Sequence, residues 1–346
     1  MLKKINKILK YPSYYYFRSK TVLKNIFNKN EILKSKGINC KLVDNLLLII
    51  DLRLFPVTFD FLTTLYYANC YREINNIKKI DILIIKSREL EKYRDPEYIN
   101  SIGSDNINWR ITNLLIPLTR LFVEIDSILI MDNLNINSMI ESYKYKLPKK
   151  YSCRKPIGFD VDLKDKILTF KNVITISKSA TDIVEKYFQD NREIVTITLR
   201  TYPYLEMRNS QIDEWIDFAN SIDKNKYRVV FIPDASSWGI DSISKIENHD
   251  VFDQACWNIE IRAALYKKAK INMGVISGPI MISCLIEDVT TLVIDRTKDY
   301  PEEYLKNILS VGNIIGEPCK FYSKNCYFYS NVDDSTVIKN IFKSHE

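Results

Sequence analysis

A turn of small residues follows one apolar run of the sequence. The run covers Ile271–Val275, and Ser277, Gly278 and Pro279 come almost directly after it. Gly allows a ligand to approach the backbone, Pro fits the first position of a helix, and a helix N-terminus presents unpaired N–H groups. These features predict a phosphate-binding turn, although an ordinary strand-to-helix turn would contain the same residues equally often.

Two arginines follow another apolar run. Arg200 ends a predicted strand at 193–200, and Arg208, Asn209 and Ser210 open the next predicted helix, where Asn209 or Ser210 can cap. Guanidinium groups bind phosphates through forked hydrogen bonds, and open parallel sheets bind ligands at the carboxyl ends of their strands. The pattern predicts a diphosphate site. The alternative is a pair of surface arginines beside ordinary cap residues.

Further polar residues follow the strand predicted at 227–234. Asp234 ends that strand, and Ser236 and Ser237 come next. A carboxylate at a strand end can accept hydrogen bonds from a ribose hydroxyl or a base amine. We therefore include Asp234 in the predicted ligand site.

A polar stripe runs along the helix predicted at 257–270. Asn258, Arg262 and Tyr266 are spaced four residues apart and share one helix face. Such a stripe is typical of a helix that borders a ligand cleft, so Asn258 and Arg262 join the predicted site. The alternative is an exposed polar face with Ile259 and Leu265 turned inward.

Asp160 and Asp162 form an Asp-x-Asp pair that would suit a divalent metal ion. The surrounding residues alternate as in a hairpin, which favours a solvated turn over a metal site. The prediction for metal ligands is therefore none.

The elements that would position these residues form two α/β halves. Buried strands are predicted from continuous apolar runs, and helices from apolar residues at helical spacing between them. Such strand–helix–strand units predict parallel sheets with helices on both faces. The predicted strands are 45–51, 80–86, 126–132, 193–200, 227–234, 271–275 and 290–295, and the predicted helices begin near residues 59, 107, 177, 208, 257, 279 and 334.

These elements predict a domain organisation of five parts. They are a basic N-terminal segment (1–40), an N-terminal Rossmann-like domain (41–150), a linker region (151–192), a C-terminal Rossmann-like domain (193–330) and a C-terminal helix (331–346).

The charge of the chain is concentrated at one end. The net charge is +7, while residues 1–36 carry ten basic residues and one acid and so account for +9. The remaining residues are slightly acidic, which argues against a nucleic-acid-binding protein. The pattern of the first 36 residues predicts short basic amphipathic helices, which would contact an anionic inner-membrane surface. A solvated extension or a helix packed on the domain remains the alternative.

Several classes of protein do not fit the sequence. Seven scattered Cys and two His without Cys-x-x-Cys spacing supply no zinc site and are typical of reduced thiols. Cys256 and Cys284 lie in apolar helical patterns and should simply be buried. Neither an apolar run of spanning length nor a secretory leader is visible, which predicts a cytoplasmic protein. The motifs of NAD enzymes, P-loop proteins and serine hydrolases are absent from the sequence.

The second half resembles the nucleotide-binding half of GT-B glycosyltransferases. The resemblance covers about residues 193–296 and depends on a strand with Arg, a helix with Trp, a strand ending in Asp, and the stretch RAALYKKAKINMGVISGP. It is nearest to heptosyltransferase-type enzymes, and the placement of Arg200 and Asp234 is also similar to that in GDP-fucose-using fucosyltransferases. The chain departs from the family at Ile276, where an acid is usual, and at Met281 or Ile282, where a His is usual.

The resemblance implies an α/β fold of two Rossmann-like parallel-sheet domains facing a cleft. The C-terminal domain would bind a nucleotide-sugar donor as substrate, with no cofactor and no obligatory metal, through Arg208 and the Ser277–Pro279 turn. Arg200 would assist catalysis. The N-terminal domain would bind the acceptor and supply a base, for which Asp60 is the first choice and Asp51 the second; Arg110 and Asn113 would begin another cleft-facing helix.

The function implied is sugar transfer to a bacterial surface glycan, either lipopolysaccharide or capsule, with a glycan or glycolipid acceptor and no nucleic acid. The enzyme would be cytoplasmic or peripheral to the inner membrane. The alternatives are a GT-B-fold sugar-nucleotide epimerase, a metal-dependent GT-A transferase, and a non-catalytic protein that binds sugar nucleotides.

Overall fold

The described residues fall into two compact units. The computed structural model describes residues 42–86, 96–131, 136–153, 156, 174–202, 206–234, 245–295, 316–318, 322–330 and 333–346. Unit 1 takes the described residues up to Val57 and those within Thr63–Ile99 and Glu124–Val161. Unit 2 takes Thr58–Leu62, Asn100–Val123 and the described residues from 174 onward.

Unit 1 contains a parallel sheet of four strands. They are β1 (Val43–Asp51), β2 (Ile80–Ile85), β3 (Ile125–Met131) and β4 (Tyr143–Leu147), in the order β3-β2-β1-β4. The predictions of β1, β2 and β3 are confirmed. The sequence analysis missed β4, because its alternating Tyr and Lys residues lack the continuous apolar run of a central strand.

Unit 2 contains a parallel sheet of six strands. They are β5 (Glu193–Thr198), β6 (Tyr227–Ile232), β7 (Asp250–Val251), β8 (Ile271–Val275), β9 (Thr290–Asp295) and β10 (Cys326–Ser330), in the order β10-β9-β8-β5-β6-β7. The four strands predicted in this half are confirmed. The sequence analysis missed the two edge strands, of which β7 has only two residues. The prediction of two parallel-sheet α/β domains is therefore confirmed.

Short helices connect the strands. In chain order the α-helices are α1 (Asp60–Ile74), α2 (Pro96–Ile102), α3 (Ser104–Arg110), α4 (Ile116–Thr119), α5 (Asn137–Glu141), α6 (Lys178–Tyr187), α7 (Ile212–Ser221), α8 (Gln254–Trp257), α9 (Ile259–Lys268), α10 (Met281–Cys284) and α11 (Ser335–Lys343). A π-helix covers Ile111–Leu115, and a 3₁₀ turn covers Glu206–Arg208. Ser177 caps α6 by accepting a hydrogen bond from the backbone N–H of Ala180 at 3.3 Å.

Two helices cover one face of the unit 2 sheet. Trp215 and Phe218 of α7 are fully buried, and Phe342 of α11 stacks edge-on against Phe218. Their contact buries the apolar stripe that the sequence predicted for α7. Cys256 and Cys284 are buried as well, also as predicted.

The start of α7 differs from its prediction. Its N-cap residue is Gln211, which makes no capping hydrogen bond with its side chain. The backbone N–H of Gln211 instead donates to Asp333 Oδ2 at 2.7 Å, and the Trp215 indole N–H donates to the same oxygen at 2.9 Å. The Asp333 carboxylate, from a distant segment, thus accepts the hydrogen bond from a backbone N–H that a cap residue would otherwise accept. Asn209 and Ser210 are therefore available for other contacts.

Candidate functional site

The order of the unit 2 strands marks one place on the sheet for a ligand. The chain adds β6 and β7 on one side of β5, and then β8, β9 and β10 on the other. Open parallel sheets bind ligands outside the carboxyl ends of the strands where the order reverses. Here that position lies between the ends of β5 and β8, which are followed by Arg200 and Ser277. The topology therefore brings Arg200 and Ser277, which carry the two strongest signals in the sequence, to the same end of the sheet.

Gly274 lets β5 and β8 come close together beside this position. A β-carbon added to Gly274 would lie 2.5 Å from the backbone oxygen of Thr198. Real β-carbons do not approach a backbone oxygen so closely, so the strand pair depends on the missing side chain. The glycine thus has a packing role next to the predicted site.

Two neighbouring residues hold Arg200 in place. Ser210 Oγ accepts a hydrogen bond from the Arg200 backbone N–H at 2.9 Å, and the Ser210 N–H donates to the Arg200 carbonyl at 2.9 Å. Asn209 Oδ1 accepts from the Arg200 guanidinium and from the Tyr202 backbone N–H. Asn209 Nδ2 donates to the Tyr202 carbonyl at 3.1 Å. Asn209 and Ser210 therefore clamp the loop that carries Arg200, rather than capping α7.

Arg208 connects this loop to the turn after β8. Its guanidinium Nη2 donates to the carbonyl oxygen of Ile276 at 3.4 Å, one residue before Ser277. Because Asn209 is both the neighbour of Arg208 and a partner of Arg200, the two arginines belong to one connected structure. The structure therefore brings Arg200, Arg208 and Asn209 together beside the turn after β8.

The Ser277 side chain is buried without a hydrogen-bond partner. Its exposed fraction is 6%, and its hydroxyl oxygen has no partner in the part of the chain that the structure describes. Buried hydroxyl groups are normally satisfied, because an unpaired one loses its hydrogen bonds to water. A ligand oxygen that accepts a hydrogen bond would satisfy this hydroxyl after the end of β8.

The helix after this turn is much shorter than predicted. It covers only Met281–Cys284, with Ile280 as its N-cap residue, so Pro279 lies in the turn and not at a helical position. A single turn has too few aligned peptides to provide the dipole of a full helix. The predicted start of the helix at Pro279 is therefore wrong, and the Ser277 hydroxyl becomes the candidate donor at this turn.

Gly278 has a packing role that the sequence did not reveal. A β-carbon added there would lie 2.2 Å from the β-carbon of Phe59. Phe59 therefore lies directly against the turn, and only glycine leaves room for it. Because Phe59 precedes Asp60, this contact also places the start of α1 beside the Ser277–Pro279 turn.

The polar stripe of α9 supports the sheet from within. Arg262 is 1% exposed, and it donates to the carbonyl oxygens of Ala255 at 2.7 Å and Pro233 at 3.4 Å and to Tyr266 Oη at 3.1 Å. The Tyr266 hydroxyl shares a 2.8 Å hydrogen bond with Thr198 Oγ1 at the end of β5. The network thus ties α9 to the chain following β5 and β6.

One expectation for α9 is corrected by this network. An exposed polar face does not describe the helix, since Arg262 and Tyr266 are both buried. Asn258 is the N-cap residue of α9, and its Oδ1 accepts from the backbone N–H groups of Glu260 and Ile261. Its capping role accounts for its position without a ligand.

Asp234 and a buried thiol lie near the end of β6. Asp234 is half-buried, while Ser236 and Ser237 lie outside the described residues. The Cys256 thiol donates to the Pro233 carbonyl at 3.0 Å, and burial raises its pKa to about 11. A thiol that stays protonated at neutral pH is a packing group rather than a nucleophile.

The two candidate bases have opposite environments. Asp51 is buried in an ion pair with Arg53, whose Nη2 lies 2.6 Å from Asp51 Oδ2, and it also accepts from Tyr151 Oη at 2.6 Å. The pKa of Tyr151 is raised, mainly by burial and secondly by its hydrogen bond to Asp51. Asp60 is exposed and accepts from Thr58 Oγ1 at 2.9 Å. Asp51 is therefore occupied by structural contacts, whereas Asp60 is accessible.

Two aromatic residues that the sequence did not indicate contact the predicted site residues. Tyr202 contacts both Arg200 and Arg110, and Phe59 contacts Gly278. The position of Tyr202 two residues after Arg200 was a usable signal, because side chains alternate along extended chain. The contact with Phe59 had no local signal.

Within the described residues, no group of three or more His, Cys, Asp or Glu side chains is arranged to hold a metal ion. No helix in the same ranges is both long and apolar enough to cross a membrane. Asp160, Asp162 and the basic segment 1–36 lie outside the described residues.

Comparisons with known proteins find structural similarity without detectable sequence relatives. No protein-family model matches the chain. No curated protein matches it either.

Three solved structures illustrate the structural similarity. A family 9 glycosyl transferase from Veillonella parvula is similar at a TM-score of 0.47 and 10% identity, over 88% of this chain and 90% of that one. The ADP-heptose lipopolysaccharide heptosyltransferase II of E. coli is similar at 0.47 and 9% identity, over 87% and 98%. A UDP-GlcNAc 2-epimerase from Methanocaldococcus jannaschii is similar at 0.36 and 11% identity, over 87% and 92%. The chain is thus similar to glycosyltransferases and to an epimerase, and its function must follow from its own site.

Proposed function

We propose that the protein is a metal-independent GT-B glycosyltransferase that moves a sugar from a nucleoside-diphosphate sugar to a bacterial surface-glycan acceptor. The acceptor would belong to lipopolysaccharide or capsule, and the enzyme would act in the cytoplasm or at the inner-membrane surface through residues 1–36. The donor is a substrate, and no further cofactor is part of the proposal.

The observation that supports this proposal best is the unsatisfied hydroxyl of Ser277. It lies buried at the switch point of the unit 2 sheet, next to Ile276, whose carbonyl contacts Arg208. A hydroxyl donor and guanidinium groups together suit phosphate oxygens. A diphosphate would satisfy the hydroxyl and bind the arginines at the same time.

In the proposed reaction an acceptor hydroxyl attacks the anomeric carbon, and the bond from that carbon to the diphosphate oxygen breaks. Negative charge then grows on the leaving diphosphate, where Arg200, Arg208 and the Ser277 hydroxyl would stabilise it. Asn209 and Ser210 would act through Arg200, whose loop they hold. Asp234 would bind the ribose.

Asp60 would take the proton of the acceptor hydroxyl. Its carboxylate is exposed, so a substrate can reach it. Its neighbour Phe59 lies against Gly278, which supports a position for Asp60 near the leaving diphosphate. Asn258 and Arg262 would serve indirectly, by setting α9 and the chain around Pro233.

Ligand binding is tested with a thermal-shift panel of nucleotide sugars, nucleoside diphosphates and nucleoside monophosphates. A ligand that binds the native state raises its Tm, so at least one nucleotide sugar and its diphosphate should stabilise the protein more than the monophosphate. The absence of a shift with every nucleotide would contradict the proposal.

Catalysis is tested by sugar transfer and donor hydrolysis with and without EDTA. Arg200→Ala and Asp60→Asn should each abolish transfer, while Asp182→Asn, which changes a carboxylate of α6 that pairs with Lys178, should not. Activity that is lost in EDTA would favour the GT-A alternative. Wild-type activity in Asp60→Asn would remove Asp60 as the base.

A further inference from the structure

The Tyr202 ring is contacted by two guanidinium groups that come from distant parts of the sequence. The guanidinium carbon of Arg110 lies 5.4 Å from the ring centroid, and its Nη2 donates to Tyr202 Oη at 3.4 Å. The guanidinium carbon of Arg200 lies 5.9 Å from the same centroid. All three residues belong to unit 2.

Two guanidinium groups at one ring bring several hydrogen-bond donors for phosphate together. The electron-rich ring attracts each guanidinium and so helps to hold it in place. A phosphate group that contacts a guanidinium accepts forked hydrogen bonds from it. The cluster also joins the candidate site through Asn209, which binds both the Arg200 side chain and the Tyr202 backbone.

The helix that carries Arg110 changes its form at this residue. Arg110 ends α3 and is the N-cap residue of the π-helix Ile111–Leu115. Ile111, Leu114 and Leu115 of that helix are buried, which fixes the segment firmly in unit 2. Single π-helical turns are frequent at functional sites, because they redirect a side chain without ending the helix.

We propose that Arg110 binds a phosphate group of a diphosphate ligand, and that it shares this ligand with Arg200 at the Tyr202 ring. The proposal rests on the proposed function, because it names a further contact of the same donor. It predicts that the site recognises two linked phosphates better than one. Arg110 thereby becomes a specificity residue for diphosphates, which the Ser277 turn and Arg208 alone would not provide.

The test uses the full chain and titration calorimetry with inorganic pyrophosphate and with orthophosphate. Arg110→Met should weaken pyrophosphate binding at least about tenfold, which is the ordinary effect of losing a charged hydrogen-bond donor. Orthophosphate binding should change less. Arg120→Met is the matched control, since Arg120 lies ten residues away, is exposed, and pairs with Glu260 at 3.8 Å; it should bind pyrophosphate as the wild type does.

A second variant keeps the test decisive if Arg110→Met fails to fold. Arg110→Lys retains the charge but loses the forked donor, so it should still bind pyrophosphate several-fold more weakly. Far-UV circular dichroism and the Tm without ligand show which variants are folded.

Three results would overturn the inference. They are unchanged pyrophosphate affinity in the folded Arg110 variant, equal losses in the Arg110 and Arg120 variants, and a wild-type protein that does not bind pyrophosphate. The failure of the proposed function looks different: nucleotide sugars would neither bind nor react, while pyrophosphate binding would still depend on Arg110.

Discussion

Ser277→Ala should stabilise the ligand-free protein and weaken ligand binding. The hydroxyl is buried and has no partner among the described residues, so it loses its hydrogen bonds to water without replacing them. An unsatisfied buried group costs about 1–3 kcal/mol, and removing it should raise the free energy of unfolding by about 1 kcal/mol. The lost hydrogen bond to a charged phosphate contributes about 1.5–3 kcal/mol, so the Kd for pyrophosphate should rise about 10- to 150-fold.

A matched control separates the two effects. Ser323 is 1% exposed, and its hydroxyl also lacks a partner in the described ranges. Ser323 precedes the amino end of β10, whereas Ser277 follows the carboxyl end of β8, so the two serines lie at opposite ends of the parallel strands. Ser323→Ala should therefore raise stability by a similar amount and leave pyrophosphate binding unchanged.

Urea denaturation without ligand measures stability, and titration with pyrophosphate measures binding. The prediction fails if Ser277→Ala is less stable than the wild type and binds pyrophosphate equally well. Such a result would mean that the hydroxyl has a structural partner and no ligand. Loss of binding in both serine variants would instead indicate a general disturbance of the sheet.

Three other predictions concern packing, the buried ion pair and pH. Gly278→Ala should lower the free energy of unfolding, measured by urea denaturation, by about 1–3 kcal/mol, because the new β-carbon meets that of Phe59. Combining it with Phe59→Gly should remove this extra loss, whereas combining it with Phe59→Ala, which keeps the β-carbon, should not. Asp51→Asn should cost about 3–5 kcal/mol, because it leaves the buried Arg53 without its anion; a small loss would reopen Asp51 as a catalytic base. Burial lowers the pKa of His345, so the unfolded chain binds the proton more readily and the free energy of unfolding should fall as the pH drops below about 6.5. His345→Gln should flatten this pH dependence in denaturation experiments from pH 7.5 to 5. An unchanged slope in this variant would contradict the prediction.

The central strands could be predicted from the sequence because they are buried on both faces. β1, β2 and β8 are continuous apolar runs, and a short run of this kind is typical of a strand that is covered on both sides. β4 and β10 could not be predicted in the same way, because their sequences, YKYKL and CYFYS, contain no continuous aliphatic run.

The contacts of the site were less predictable than its position. The rule that ligands bind at the carboxyl ends of parallel strands was enough to place Arg200 and Ser277 at the same end of the sheet, because it depends on topology alone. Asn209 binds Arg200 and Tyr202 instead of capping α7, and the start of α7 is bound by Asp333, more than a hundred residues away in the sequence. Local sequence contains no information about such a partner, so the cap prediction was wrong for a physical reason.

The buried network of Arg262, Tyr266 and Thr198 also has a consequence for how unit 2 forms. Until α9 docks, the Thr198 hydroxyl and the Pro233 carbonyl lack these partners. Docking of α9 buries both groups, and a buried polar group without a partner is costly, so β5, β6 and α9 should assemble as one cooperative unit. The loop with Arg200 follows β5 directly and should become ordered in the same step.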